Sequence, residues 1–261
     1  MKELKMDFKR SLCSVRMIFI TAGLAVTVAA SSWEMIRDCF TNGADYSAVD
    51  MLGMSMIMDK FKVLMVILTA GIYTTGFCHD FRYHYLRMIL TRTDVFSYCV
   101  SKFITNTISI IVSCLLAFYM FAGLIACFGI SISSNAGTIT YYYQMAYRNP
   151  ILYIGMMALQ FGMVCAACCG IGVLLSAFQP NAFVCIGFSG MVFFGAVSYI
   201  PLGNPFDVFN LVCMRPTLLS GSDTPEALMF LWGMLYPISI VIVCTYLFYR
   251  RMKWREENGF L

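Results

Sequence analysis

Six apolar runs, each long enough to cross a hydrocarbon core of roughly 30 Å as a helix, leave this chain few folds to choose from. They cover residues 17–33, 61–77, 103–130, 151–178, 182–201 and 227–249. Of the 261 residues 60% are apolar and only 12% charged, about half the charged share of a soluble domain. The sequence therefore predicts an all-α polytopic membrane protein. Its six transmembrane helices form one domain over residues 1–261, because no polar linker divides them.

The interior joint at 76–103, GFCHDFRYHYLRMILTRTDVFSYCVSKF, concentrates charge, histidine and aromatic residues between two apolar runs. Asp80, Arg82, Arg87, Arg92, Asp94 and Lys102 lie there, so the segment is expected to emerge from the membrane and meet a partner. At the amino-terminal end Leu4, Phe8, Leu12 and Val15 share one helical face, with Lys2, Lys9 and Arg16 on another. This pattern predicts an amphipathic interfacial helix. The basic region is long and patterned, which favours an uncleaved first span over a secretory signal.

Residues 34–60 read as a polar loop, and the nearly uncharged 131–149 as a second one whose tyrosines suit the membrane interface. Pro150 opens the fourth span, where a missing N–H costs least. Gln179, Pro180 and Asn181 allow only a tight turn to the fifth. Residues 202–222 are apolar yet interrupted by Gly203, Pro205, Asp207, Arg215 and Pro216, a pattern that predicts a short re-entrant segment before the last span. Pro237 should kink that last span.

Orientation follows from the basic residues. With both termini inside, the inner segments hold five, four and four Lys or Arg, thirteen of the eighteen. The positive-inside rule then puts both ends in the cytoplasm of a multi-pass protein of the cell membrane. Net charge of +4 is scattered at span ends and forms no nucleic-acid groove. Contact with membrane lipids is expected throughout.

Chemistry-bearing motifs are sparse. Gly187, Phe188, Ser189 and Gly190 resemble a Gly-x-Ser-Gly nucleophile pattern, but the only histidines, His79 and His84, lie upstream, and a serine nucleophile needs a base within reach. Small-residue packing explains these positions more simply. Cys165, Cys168 and Cys169 share a helical face without a neighbouring histidine or carboxylate, so apolar packing is expected in place of a metal site. No Gly-rich Walker loop occurs, and no cofactor is expected in this chain. Acids, histidines and nearly all bases fall in loops or at span ends, which disfavours an ion-coupled relay.

Phe77, Asp80, Arg82, Leu86, Ile89, Leu90, Arg92, Tyr98, Ser101 and Lys102, in that order, carry a resemblance. The stretch is similar to the loop between the second and third spans of type-2 ABC exporter permeases: an acid, a short amphipathic helix, a Ser-Arg-like pair and a Ser-Lys ending. The layout of interfacial helix, six spans and broken apolar segment before the sixth also resembles that family. Two departures are Tyr83-His84 where Gly-Thr is usual, and the missing proline before the Ser-Arg-like pair.

The resemblance implies a permease subunit that pairs with a second permease, identical or related, and with separate ABC ATPase subunits that bind ATP and Mg. It implies an ATPase-coupling helix over 80–90, comprising Asp80, Phe81, Arg82, Tyr85, Arg87, Met88 and Ile89. Phe81, Tyr85, Met88 and Ile89 would form its docking face, with Phe81 and Tyr85 exposed in the isolated subunit. An interior rich in Met, Phe, Tyr and Gly suits export of a peptide, lipid-like or other amphiphilic substrate, including antimicrobial-peptide export or immunity. A secondary transporter or channel is the alternative reading, and an intramembrane protease a third.

Overall fold

The computed structural model describes residues 2–57, 59–83, 85–91, 93–133, 149–198 and 226–258. The expected re-entrant segment at 202–222 and most of the tyrosine-rich loop lie outside them. Among the described residues the chain is all-helical, in eleven helices: α1 (Lys2–Leu12), α2 (Val15–Ser31), α3 (Trp33–Asn42), α4 (Ala48–Ile57), α5 (Asp59–Tyr73), α6 (Gly76–Arg82), α7 (Tyr85–Leu90), α8 (Val95–Cys127), α9 (Pro150–Ser176), α10 (Ala182–Ser198) and α11 (Glu226–Glu257). Among the described residues four stretches are long and apolar enough to cross a membrane: Phe61–Arg82, Val95–Cys127, Pro150–Ser176 and Phe230–Glu257. The pair Leu4–Leu12 and Val15–Ser31, bent by 53°, makes a fifth if taken as one span, and Ala182–Ser198 is apolar but shorter. The molecule thus has the character of a multi-pass membrane protein.

The centre is α9, which packs against α8, α10, α11 and α5. Surrounded on all sides, it shows no polar stripe, and its small residues let neighbours approach. A Cβ on Gly162 would lie 3.1 Å from the Ile111 Cα, and one on Gly172 would lie 2.7 Å from the Cys185 carbonyl oxygen and collide with the Ser189 hydroxyl. Cys165, Cys168 and Cys169 are fully buried in this packing. Because a backbone atom of α10 cannot yield as a side chain can, Gly172→Val is expected to cost about 1–3 kcal/mol or more through overpacking. Gly187→Val, where an added Cβ would have no neighbour within 4 Å, serves as the control. Equal unfolding midpoints of the two purified variants in detergent would refute this close α9–α10 approach.

Two expectations are corrected here. Residues 34–60 are not a loop, since they contain α3, ended by Gly43 at φ 64°, and α4. Ala48, Val49, Met51 and Leu52 of α4 are completely buried. A reciprocal cap starts that helix: the Ser47 amide and hydroxyl donate to Asp50 Oδ2 at 3.1 and 2.7 Å, and the Asp50 amide donates to Ser47 Oγ at 3.1 Å. This is the capping-box arrangement, with aspartate as the acid. The third span also starts earlier than residue 103. α8 begins at Val95 because its first two turns bury Tyr98, Cys99, Ser101 and Lys102.

The amino-terminal helix differs in its face. Leu4, Phe8 and Leu12 are only half-buried, whereas Asp7 and Ser11 are 3% and 1% exposed. Val15 belongs to α2 and is exposed. The chain bends at Ser14, whose side chain accepts from the Met17 amide at 3.2 Å and caps α2. α1 therefore packs a polar edge against α8, which an apolar count cannot anticipate.

Candidate functional site

Where α1, α5, α6 and α8 meet, a closed network of charge is buried. Lys102 Nζ donates to Asp80 Oδ2 at 2.7 Å, to Asp7 Oδ1 at 3.0 Å and to the Tyr73 hydroxyl oxygen at 2.9 Å. An ammonium has three N–H groups, and each has an acceptor here. The carboxylates are shared further: the Tyr98 hydroxyl donates to Asp80 Oδ2 at 3.1 Å and the Ser101 hydroxyl to Asp7 Oδ2 at 3.1 Å. The Tyr73 and Tyr98 rings each have a centroid 5.2 Å from Nζ, a distance at which a ring face attracts a cation.

Lys102, Asp7 and Asp80 are nearly inaccessible. Arg10, half exposed, reaches Asp80 Oδ1 at 3.4 Å from outside. Two acids and two bases cancel, so the cluster is neutral as a whole, as buried ions must be to be tolerated. Asp7, Asp80 and Lys102 lie outside the apolar runs, as the sequence indicates, yet the fold buries them. Beyond Lys102 the same face of α8 stays polar. Asn106 Oδ1 accepts from the Thr74 hydroxyl at 3.4 Å, Ser109 Oγ accepts from Ser11 at 2.6 Å, and Ser113 Oγ pairs with Thr21 at 2.9 Å. Positions 102, 106, 109 and 113 are one helical stripe, which ties α8 to α1, α2 and α5 in a setting where polar contacts glue helices.

The expected coupling segment is not one helix but two, α6 and α7, joined through Tyr83 and residue 84. Its residues separate accordingly. Asp80 points into the network. Phe81 is half-buried, with its ring 6.1 Å from that of Phe77 and the Arg255 guanidinium 5.4 Å above it, so its expected exposure is corrected. Ile89 is half-buried beside the buried Leu86, and both join an apolar cluster with Phe77, Phe103 and Phe248. Arg82 is exposed, as are Tyr83, Tyr85 and Met88, the last at 67%. The Arg87 side chain lies outside what the structure describes.

The carboxyl-terminal helix closes this end of the bundle. Arg251 lies over the rings of Phe178 and Trp254 at 4.9 and 4.2 Å. Together with the Arg255–Phe81 contact, this brings α6, the α9–α10 turn and the end of α11 to one end, where Arg10 of α1 also meets Asp80. At that turn the Phe183 amide donates to Asn181 Oδ1 at 3.1 Å, the Asx geometry that suits a tight reversal. Elsewhere, Ser189 is fully buried and its hydroxyl donates to the Cys185 carbonyl at 2.9 Å. Among the described residues no three His, Cys, Asp or Glu side chains converge as a metal site. No protein-family model, curated protein or solved structure matches this chain.

Proposed function

We propose that this chain is the membrane-spanning permease subunit of an ABC transporter, which exports a peptide, lipid-like or other amphiphilic substrate with ATP hydrolysed by separate subunits. The observation that supports it best is mechanical. The α6–α7 pair exposes Tyr83, Tyr85 and Met88 on its outside, while Asp80 on its inside is held by Lys102 of α8 and Arg10 of α1. A partner that grips the outer residues would move α1 and α8 as well. The six crossings of this reading are α2, α5–α6, α8, α9, α10 and α11, and the basic-residue count supports a cell-membrane protein with both termini in the cytoplasm. ATP and Mg belong to the partner ATPase, and a second permease subunit, identical or related, completes the path.

A secondary transporter or channel is the competing reading, and the buried Asp7, Asp80 and Lys102 favour it, because such groups serve ion relays. Their mutual saturation argues against that use: all three Lys102 donors are taken. The deciding experiment reconstitutes the purified chain with its co-purifying ATPase and follows substrate movement. Uptake into inverted vesicles that requires hydrolysable ATP is the expected result. Transport driven by an ion gradient, with neither nucleotide nor ATPase present, would refute the permease assignment.

A further inference from the structure

A cavity of ≈ 520 Å³ opens beside the ion network, in the corner between the α1–α2 bend, the α5–α6 junction and the start of α7. Its polar lining includes Arg10, Arg16, Thr75, His79, Tyr83 and Tyr85, and no carboxylate lines it. Arg16 has no hydrogen-bond or ion-pair partner among the described residues. Arg10 has only the 3.4 Å contact to Asp80, whose other oxygen is already held by Lys102 at 2.7 Å. The His79 ring lies parallel to that of Tyr83, with centroids 6.4 Å apart, and makes no side-chain hydrogen bond among the described residues. The cavity is thus a concave, net-positive site with unused donors and an aromatic wall, of a size that holds small ligands.

We propose that this cavity binds an anionic phosphoryl group, with Arg16, Arg10 and His79 as donors and the tyrosines of the α6–α7 turn against the rest of the ligand. Guanidinium groups match phosphate oxygens through paired, charge-assisted hydrogen bonds. Either a membrane lipid headgroup or a soluble phosphate can supply this chemistry. The site does not depend on the permease assignment, since it requires only the charges and shape of this end of the bundle.

The test compares wild type with an Arg16→Gln/His79→Gln variant, which leaves Asp7, Asp80 and Lys102 untouched. In one arm, phosphatidylglycerol or phosphatidylcholine is titrated in mixed micelles and retention is read by native mass spectrometry. In the other, inorganic phosphate is added to protein in phosphatidylcholine nanodiscs at constant ionic strength and the unfolding midpoint is followed. Expected is preferential retention of phosphatidylglycerol, a response to inorganic phosphate, or both, weakened at least about tenfold in the variant. Phosphatidylglycerol alone identifies a lipid headgroup, and a response to inorganic phosphate identifies a soluble ligand. The variant should match wild type in unfolding midpoint without anion. Equal anion binding by the two proteins, or retention of phosphatidylcholine equal to phosphatidylglycerol with no response to phosphate, overturns the site.

Discussion

Lys102→Met is expected to destabilise the protein by about 3–5 kcal/mol, because it strands two buried carboxylates without their shared cation. Asp7 and Asp80 are as inaccessible as the lysine, so water cannot replace the lost partner without opening the α1–α6–α8 junction. The cost comes from the unpaired charges and not from the loss of a favourable pair. A triple variant, Asp7→Asn/Asp80→Asn/Lys102→Met, removes all three charges and should recover most of the stability, whereas the single variant cannot. Arg10→Gln should cost no more than about 1 kcal/mol, since half of that side chain is exposed and solvent screens it. Unfolding midpoints of the four purified proteins, followed by helical circular dichroism in one detergent, supply the comparison. A Lys102→Met midpoint equal to wild type, or a triple variant less stable than the single one, would show that the network is not the buried, closed cluster described above.

This junction was also the part of the molecule least visible in the sequence. Runs of apolar residues announced the long helices well, with α9 at Pro150–Ser176 where 151–178 was expected and α2 at Val15–Ser31 where 17–33 was expected. Proline at the first turn and the Gln179-Pro180-Asn181 reversal left little freedom there. Asp7, Asp80 and Lys102 gave no such signal, since Asp80 and Lys102 stand at the edges of apolar runs and Asp7 within the charged amino-terminal segment, where a charge ordinarily faces water or headgroups. Their pairing joins positions as much as 95 residues apart, and no local period encodes it.

The burial of α4 was legible in principle. Ser47 and Asp50, three apart before an apolar stretch, form a capping signature, which the charges spread over 34–60 obscure. The split of the coupling segment had a weaker cue. A single helix over 80–90 would put Asp80 near the face of His84 and Arg87, whereas the ion network fixes Asp80 inward and Leu86 packs inward beside Phe77, so the two inward demands are met by breaking the helix near Tyr83.

That break also decides which residues can test an ATPase partner. On the proposed permease reading, Tyr85→Ala/Met88→Ala is expected to abolish stable ATPase association and transport while leaving expression and thermal stability of the chain unchanged. Phe81 is unsuitable for the purpose, because its contacts with Phe77 and Arg255 make any substitution a probe of folding as well. Tyr85 and Met88 are 52% and 67% exposed, so little packing is lost in the isolated chain. If a partner groove covers both, each contributes about 1–3 kcal/mol on burial. Together that is about thirtyfold to twenty-thousandfold in the dissociation constant. The measurement pairs ATPase co-purification with the hydrolysis rate that the double variant stimulates, with its unfolding midpoint as the folding control. If assembly persists and only the coupled rate falls, docking lies elsewhere and α7 acts in transmission alone. Normal assembly together with normal transport would remove α7 from the partner interface and leave it as an anchor of the apolar cluster around Leu86.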